Sequence, residues 1–168
     1  LRHLVWGGSP MPISLVPTLR QTGARLGTVY GLTEDCVASS YADADASDEQ
    51  LANAIGRPDP RLDYRIDSPG PGQPGELLLR NPCVMTEYLH QPEATAEAFT
   101  EDGFLRTGDI AVLRPDALIE LVGRSKEMFK SGGYNVYPRE VEQALEEHPA
   151  VEIAVVVDVP DEKYYQVG

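Results

Sequence analysis

Cysteine is scarce in this chain of 168 residues, which contains only Cys36 and Cys83. Two cysteines this far apart are too few for a disulfide framework or a zinc site, so a reducing cytoplasm is the expected location. Free cysteine commonly behaves as a small buried residue, and we expect both side chains to lie in the core.

Basic residues are scarce as well, since 14 Lys and Arg stand against 27 Asp and Glu and give a net charge of -13. Nucleic-acid backbones are bound by clustered Lys and Arg, so this balance argues against a nucleic-acid partner. An anionic small-molecule substrate would need its positive charge supplied locally.

Long apolar runs are also missing. No stretch approaches the roughly 18 apolar residues of a membrane span, and "LRHLVWGG" lacks the pattern of a signal peptide, so we expect no transmembrane segment and a cytoplasmic protein. The 42% hydrophobic content is enough for one large or two small cores. The chain opens inside an apparent strand and stops at "YYQVG", which leads us to expect a fragment of a longer protein.

Residues 1–55 have the pattern of a βαβ unit. Apolar "HLVW" is followed by "GGSPMP", a helix through Leu15 and Leu19, and the second strand "LGTVY". The loops "GGSP" and "YGLTE" follow the two strands, so both are expected at the carboxyl edge of a parallel sheet, where ligands gather. The acidic stretch over 42–50 is interpreted as a solvated loop.

Residues 56–123 change to short apolar runs separated by Pro and Gly, which predicts a small antiparallel barrel or sheet. Within them "QPEATAEAFTEDG" predicts a helix that stops at Gly103. The boundary of a separate α+β unit is expected close to residues 124–126. The fold class is therefore α/β followed by α+β.

Residues 127–168 begin with a predicted hairpin, in which "EMFK" and "YNVY" flank "SGG". A helix is predicted from Pro138, and four of its side chains share one face at helical spacing. These are Val141, Ala144, Leu145 and His148. "VEIAVVVDV" then predicts a buried strand bounded by Pro160.

The stretch "VYGLTED" carries the first group of candidate functional residues. Gly31 allows a flat ring to approach the backbone, Thr33 offers a hydroxyl to a phosphate oxygen, and Glu34 offers a hard oxygen ligand to Mg²⁺. The alternative is a plain turn with a helix cap at Thr33 and acids in the first turn.

Two further residues are ambiguous when each is taken alone. Asp109 in "RTGDI" suits the two hydroxyls of a ribose, or else forms an Asx turn. Arg124 in "VGRSK" suits a ribose hydroxyl or a phosphate, or else forms a surface ion pair.

In order and spacing, "GGSP", "VYGLTE", "GELLLR", "RTGDI" and "GRSKEMFKSGGYNVYPREVE" resemble the core motifs of the adenylate-forming superfamily. That superfamily includes acyl- and aryl-CoA synthetases, luciferases and nonribosomal-peptide adenylation domains. The resemblance covers essentially the whole chain. It implies ATP- and Mg²⁺-dependent activation of a fatty or aryl acid to an acyl-adenylate, followed by transfer to coenzyme A.

The resemblance also assigns roles to residues of the larger domain, which it places at 1–123 as the end of that domain. Gly7, Gly8 and Ser9 would border the acyl and adenine pockets. Tyr30 and Gly31 would line the adenine face, Thr33 would contact the α-phosphate, and Glu34 would bind the Mg²⁺. Asp109 would take the ribose hydroxyls with help from Arg124.

For residues 124–126 the resemblance implies a hinge with Lys126 as its pivot, and for 127–168 the first part of the small C-terminal domain. Lys130 would reach the adenylate in the thioester-forming pose. Gly132 and Gly133 would leave room for the pantetheine of coenzyme A. The catalytic group would comprise Thr33, Glu34 and Lys130.

Two parts of the superfamily pattern are not found in this sequence: the glycine-, serine- and threonine-rich phosphate loop and the C-terminal catalytic lysine. The fragment alone is therefore expected to be inactive. A smaller departure lies at Thr86-Glu87-Tyr88, where a glycine usually precedes the tyrosine. We interpret this departure as a change in a loop that leaves the chemistry untouched.

Two other functions stay open at this point. One is a carrier-protein-loading adenylation domain or acyl-AMP ligase, although "EMFKSGGYNVYPREVE" looks more like the stand-alone CoA ligases. The other is a non-catalytic nucleotide-binding or interaction module.

Overall fold

The computed structural model describes residues 1–9, 11–36, 38–148 and 150–168. The chain divides into two compact units, of which the first comprises Leu1–Thr107 with Ala111–Leu121 and the second comprises Gly108–Ile110 with Val122–Gly168. No helix in the described ranges is long and apolar enough to cross a bilayer.

The first unit opens with the predicted βαβ arrangement. Strand β1 (His3–Trp6) pairs in parallel with β2 (Arg25–Gly31), and helix α1 (Val16–Arg20) connects them after a 3-10 turn at Ile13–Leu15. The helix packs through the fully buried Val16 against Leu26 of β2. This part of the fold is confirmed.

The rest of the first unit adds strands and two helices. After a 3-10 turn at Thr33–Asp35 come β3 (Ala38–Tyr41), helix α2 (Asp48–Asn53), β4 (Ala54–Pro58), β5 (Asp63–Asp67), β6 (Gly75–Arg80) and helix α3 (Pro92–Ala98). Strands β7 (Leu105–Leu113) and β8 (Ile119–Arg124) follow, of which Gly108–Ile110 and residues 122–124 belong to the second unit.

One sheet contains all of these strands. In the described part of the chain its spatial order is β1-β2-β3-β4-β8-β7-β6-β5, with β3, β4 and β8 joined by antiparallel pairs and β5 antiparallel to β6 at one edge. The antiparallel strands expected over 56–123 are therefore present, and they continue the sheet of the βαβ portion. Leu77 and Leu79 of β6 and Ile119 of β8 belong to one buried hydrophobic cluster of this sheet.

Three expectations for the first unit are wrong. Helix α2 begins at Asp48 inside the predicted loop, because Ser47 accepts a hydrogen bond from the Gln50 N–H in a capping box. Helix α3 ends at Ala98, not at Gly103, since Phe99 is extended and bridges to Leu105.

The third error concerns the cysteines, both of which are exposed. Cys36 ends the Thr33–Asp35 turn in a left-handed conformation with φ of 59°. The Cys83 N–H donates to the Asn81 side chain at 2.7 Å within another surface turn. Turn positions of this kind keep a side chain at the surface, whatever its polarity.

The second unit contains the predicted hairpin and helix. Strands β9 (Phe129–Ser131) and β10 (Tyr134–Val136) are antiparallel, and helix α4 (Pro138–Glu146) starts at its proline as expected. Strands β11 (Val159–Asp161) and β12 (Tyr165–Val167) complete a sheet whose order, over the described residues, is β10-β9-β12-β11. His148 lies beyond the end of α4.

The strand predicted at "VEIAVVVDV" is wrong for most of its length, because regular pairing begins only at Val159. The Ala154 and Val156 N–H groups donate to the carboxylates of Glu146 and Glu142 on α4, at 3.3 and 3.0 Å. The alternate side chains Ile153 and Val155 are each 75% exposed. A β-branched sequence forms a buried strand only when a neighbouring strand and a covering layer are available.

Candidate active site

An open pocket of about 660 Å³ lies beyond the ends of β1 and β2. The loop after β1 and the turn after β2 both contribute to it, so the adjacency predicted for "GGSP" and "YGLTE" is confirmed for Gly7-Gly8 and residues 31–33, while Pro10 lies outside the described residues. Its lining consists of Gly7, Gly8, Val29, Gly31, Leu32, Thr33, Cys36 and Ala38.

Gly7 brings the end of β1 close to the backbone of β2. A Cβ atom built at Gly7 would lie 2.7 Å from the Val29 carbonyl oxygen and 3.0 Å from Val29 Cγ2. A side chain at this position would have to push the two segments apart. The glycine therefore has a packing role in shaping the pocket, whatever it contacts there.

A buried carboxylate holds the turn that carries Thr33 and Glu34. Asp35 is fully buried, and its Oδ1 accepts a hydrogen bond from the Leu32 N–H at 3.4 Å. Its Oδ2 accepts one from the Ser39 hydroxyl. These bonds fasten the turn to β3 and leave Thr33 exposed at the pocket wall.

The interpretation of Thr33 as a helix cap is wrong. Leu32, with extended φ and ψ of -135° and 165°, occupies the cap position, and Thr33 is the first residue of the 3-10 turn. Among the described residues, no group is hydrogen-bonded to the Thr33 hydroxyl, which makes it available to a ligand in the pocket.

Glu34 is tied to a segment far away in the sequence. Its main-chain carbonyl accepts a hydrogen bond from the Met85 N–H at 2.7 Å, and its Oε1 accepts one from the Tyr88 hydroxyl at 2.8 Å. The hydrogen bond to the Glu34 carboxylate, together with burial, raises the pKa of Tyr88, so the phenol is a neutral donor.

Tyr30 and Gly31 are separated by an irregularity in the pairing of β2 with β3. Gly31 lines the pocket, whereas Tyr30 is 8% exposed and packs in the core with Leu77 and Leu79. The structure thus brings Gly7, Gly8, Gly31 and Thr33 together. Tyr30 and the exposed Ser9 are not among the residues that line the pocket.

Asp109 and Arg124 form an ion pair within the second unit. Asp109 is 5% exposed in β7, and its Oδ1 accepts a hydrogen bond from Arg124 Nε at 2.9 Å. The Asx turn considered for Asp109 is wrong, because the residue belongs to a strand. The ion pair considered for Arg124 is present, and 63% of the arginine side chain stays exposed.

The remaining candidates lie in the turn after β8 and in the β9-β10 hairpin of the second unit. Lys126 occupies the turn after β8, where the Glu127 N–H donates to the Arg124 carbonyl at 3.1 Å. Lys130 is exposed on β9. Gly132 and Gly133 form the two-residue hairpin loop with φ of 55° and 92°, which side chains rarely adopt, so turn geometry alone already requires glycine there.

Comparison with known proteins identifies the protein family of this chain. The family model described as AMP-binding enzyme matches residues 1–89. A feruloyl-CoA synthase of Amycolatopsis is 37% identical over 173 residues, covering 100% of this chain and 35% of that protein. The chain belongs to the AMP-binding enzyme family, and it spans about a third of the length of the curated relatives it matches.

Solved structures agree with this fold. The o-succinylbenzoate CoA synthetase MenE of Bacillus subtilis, in complex with its acyl-adenylate intermediate, superposes with a TM-score of 0.87 at 32% identity, covering 99% of this chain and 35% of that one. Another structure of MenE holds ATP and a magnesium ion. The amide bond synthetase McbA of Marinactinospora thermotolerans gives 0.87 at 35% identity, with the same coverage.

The site fits a magnesium ion that arrives with a nucleotide. In the described ranges no three His, Cys, Asp or Glu side chains come together as a metal cage. Mg²⁺ commonly uses only one or two protein carboxylates and takes its other ligands from substrate phosphates and water. Glu34, with Oε1 bonded to Tyr88 beside the pocket, matches that requirement.

Proposed function

We propose that this chain contributes the acyl-adenylate site of an AMP-forming acid-CoA ligase, with a fatty or aryl carboxylic acid, ATP and coenzyme A as substrates. The observation that carries the proposal is the convergence of the Gly7-Gly8 loop and the Thr33–Asp35 turn on one pocket. The relatives named as CoA synthetases support it.

In the first half-reaction, a carboxylate oxygen of the acid attacks the α-phosphorus of ATP, and pyrophosphate leaves as the new P–O bond forms. The Thr33 hydroxyl would donate to an α-phosphate oxygen, and Glu34 would hold the Mg²⁺. When bound, that ion would neutralise phosphate charge that otherwise repels the attacking carboxylate. Gly31 lets the adenine ring lie against the backbone.

We assign the ribose to Asp109, whose carboxylate is oriented by Arg124. A nearly buried carboxylate held by a guanidinium is a fixed acceptor for hydroxyl donors. We leave Tyr30 out of the adenine face, because its ring packs in the core and Gly31 is the residue of the two that lines the pocket.

In the second half-reaction the thiol of coenzyme A loses its proton to water, the thiolate forms a C–S bond at the acyl carbonyl carbon, and the C–O bond to the phosphate breaks so that AMP leaves. We propose that residues 124–126 act as a hinge between a domain over 1–123 and one over 127–168, with Lys126 as the pivot. Lys130 then approaches the adenylate, and the Gly132-Gly133 loop admits pantetheine. The exposed thiols of Cys36 and Cys83 suit a reducing location, and we assign the enzyme to the cytoplasm.

The test uses the complete gene product that contains this chain. We expect acid-dependent exchange of pyrophosphate into ATP with at least one member of a panel of fatty and aryl acids, and CoA-dependent release of AMP with that acid. Exchange without CoA thioester, but with loading of a carrier protein, would favour the carrier-loading alternative. Product formed only with an amine would favour amide synthesis, the activity named for McbA. No exchange with any acid contradicts the proposal.

A further inference from the structure

The carboxylate of Glu34 is held by a group that does not line the pocket. Tyr88 lies 54 residues further along the chain, and its hydroxyl donates to Glu34 Oε1 at 2.8 Å. Three residues before Tyr88, the Met85 N–H donates to the main-chain carbonyl of Glu34 at 2.7 Å. One segment therefore fixes both the backbone and the side chain of the same glutamate.

Tyr88 is itself anchored on helix α3. Its N–H donates to Thr95 Oγ1 at 2.9 Å, and the Thr95 hydroxyl donates to the Gln91 carbonyl at 2.8 Å. The Gln91 N–H returns a hydrogen bond to the Tyr88 carbonyl at 3.0 Å. The phenol thus reaches Glu34 from a closed set of hydrogen bonds at the start of the helix.

This arrangement matters because a glutamate has three side-chain torsions and Glu34 stands on a short surface turn. A carboxylate can accept hydrogen bonds on both oxygens. With Oε1 engaged by the phenol, the carboxylate is oriented, and Oε2 is the oxygen that would bind a metal ion. Hydrogen-bond partners of this kind orient metal-binding carboxylates, and their removal typically costs about 10–100-fold in metal affinity.

We propose that Tyr88 is a positioning residue that orients the Glu34 carboxylate for a divalent cation bound with the nucleotide. The proposal rests on the proposed function, in which Glu34 is the metal ligand. The loop at Thr86-Glu87-Tyr88, where a glycine usually precedes the tyrosine, would then act on the nucleotide site through that tyrosine.

The test measures metal binding directly. Mn²⁺ is titrated into the complete gene product in the presence of an ATP analogue with a methylene bridge between the α- and β-phosphorus atoms, and free Mn²⁺ is followed by electron paramagnetic resonance. Tyr88→Phe should raise the Kd for Mn²⁺ by about 10-fold or more. Tyr64→Phe, which removes a hydroxyl from a half-buried tyrosine on β5, should leave it unchanged. An unchanged Kd in Tyr88→Phe overturns the proposal.

A double-mutant cycle separates positioning from simple structural support. Once Glu34→Gln has removed the metal ligand, adding Tyr88→Phe should not weaken Mn²⁺ binding further, whereas an equal additional loss would mean that Tyr88 acts elsewhere. If Tyr88→Phe fails to fold, Thr95→Val decides instead. That variant keeps the phenol and removes its anchor, so a raised Kd supports the proposal and an unchanged Kd overturns it.

The two proposals fail in different ways. Absence of acid-dependent pyrophosphate exchange in the wild-type protein contradicts the ligase function and leaves the Mn²⁺ comparison intact. Exchange in the wild type together with equal Mn²⁺ affinity in Tyr88→Phe contradicts only the role of Tyr88.

Discussion

Two neighbouring serines of β3 offer a controlled test of how the turn carrying Glu34 is stabilised. Ser39 is 2% exposed and Ser40 is 1% exposed. The Ser39 hydroxyl donates to the Asp35 carboxylate, and the Ser40 hydroxyl donates to the neutral carbonyl of Ile55 at 2.6 Å. Replacing each serine by alanine removes the same atom from equally buried sites, so the charge of the acceptor is the main difference.

The expected losses follow from that difference. A hydrogen bond to a charged group contributes about 1.5–3 kcal/mol to the free energy of unfolding, and one between neutral groups about 0.5–1.5 kcal/mol. We therefore expect Ser39→Ala to cost about 2 kcal/mol and Ser40→Ala about 1 kcal/mol. With a urea slope of about 2 kcal/mol/M, the unfolding midpoints fall by about 1 M and about 0.5 M.

The same pair also reports on function, because Asp35 holds the turn on which Glu34 stands. Ser39→Ala should lower the affinity for the magnesium complex of the methylene-bridged ATP analogue, measured by titration calorimetry, and Ser40→Ala should not. Equal midpoint shifts, or a larger shift for Ser40→Ala, would refute the claim that a charged acceptor dominates. Equal affinities would refute the link from Asp35 to the pocket.

Three further outcomes are expected. Gly7→Ala should lower the free energy of unfolding by about 1–3 kcal/mol in urea titration, because its Cβ meets the Val29 carbonyl at 2.7 Å, whereas Gly27→Ala, whose Cβ has its nearest contact at 3.7 Å, should be tolerated. Hydrogen bonds from Arg61 hold the pKa of Asp59 down to about 2, so the pair stabilises the fold above about pH 4 and the stabilisation is lost as the pH falls towards 2. Asp59→Asn should therefore lower the urea midpoint at pH 6 and progressively less towards pH 2.5, and an equal difference at both pH values contradicts this. Lys126→Pro should keep adenylate formation and lose thioester formation in separate half-reaction assays, because proline restricts φ at the pivot. The control Lys126→Ala should keep both half-reactions. Equal loss of both half-reactions in Lys126→Pro refutes the hinge.

Local patterns were enough to predict several elements in each of the two units. The parallel βαβ unit, the start of α4 at Pro138 and the hairpin around Gly132-Gly133 depend on short-range periodicity, proline geometry and turn chemistry. Each of these signals acts within a few residues, so it can be read without knowledge of the fold. The loop predicted over 42–50 misses the start of α2, although the Ser47 to Gln50 spacing of its capping box is visible in the sequence.

Other features depend on contacts that no local pattern contains. Burial of a β-branched run requires a partner strand. The run "VEIAVVVDV" therefore does not predict that Ile153 and Val155 are exposed. The hydrogen bond between Tyr88 and Glu34 joins residues 54 apart, and only the fold brings them together. The sequence shows a departure beside this tyrosine, where Glu87 stands in place of the usual glycine, but it does not show which group the Tyr88 hydroxyl reaches.

The most direct test of the account is acid-dependent pyrophosphate exchange in the complete gene product with Glu34 neutralised. Glu34 directly follows Thr33, which lines the pocket, and Glu87 is an exposed glutamate next to Tyr88. The account predicts that the wild type and Glu87→Gln exchange pyrophosphate equally, and that Glu34→Gln loses most of that activity and recovers part of it at high Mg²⁺. Exchange by Glu34→Gln at the wild-type rate would contradict the assignment of this pocket as the adenylate-forming site.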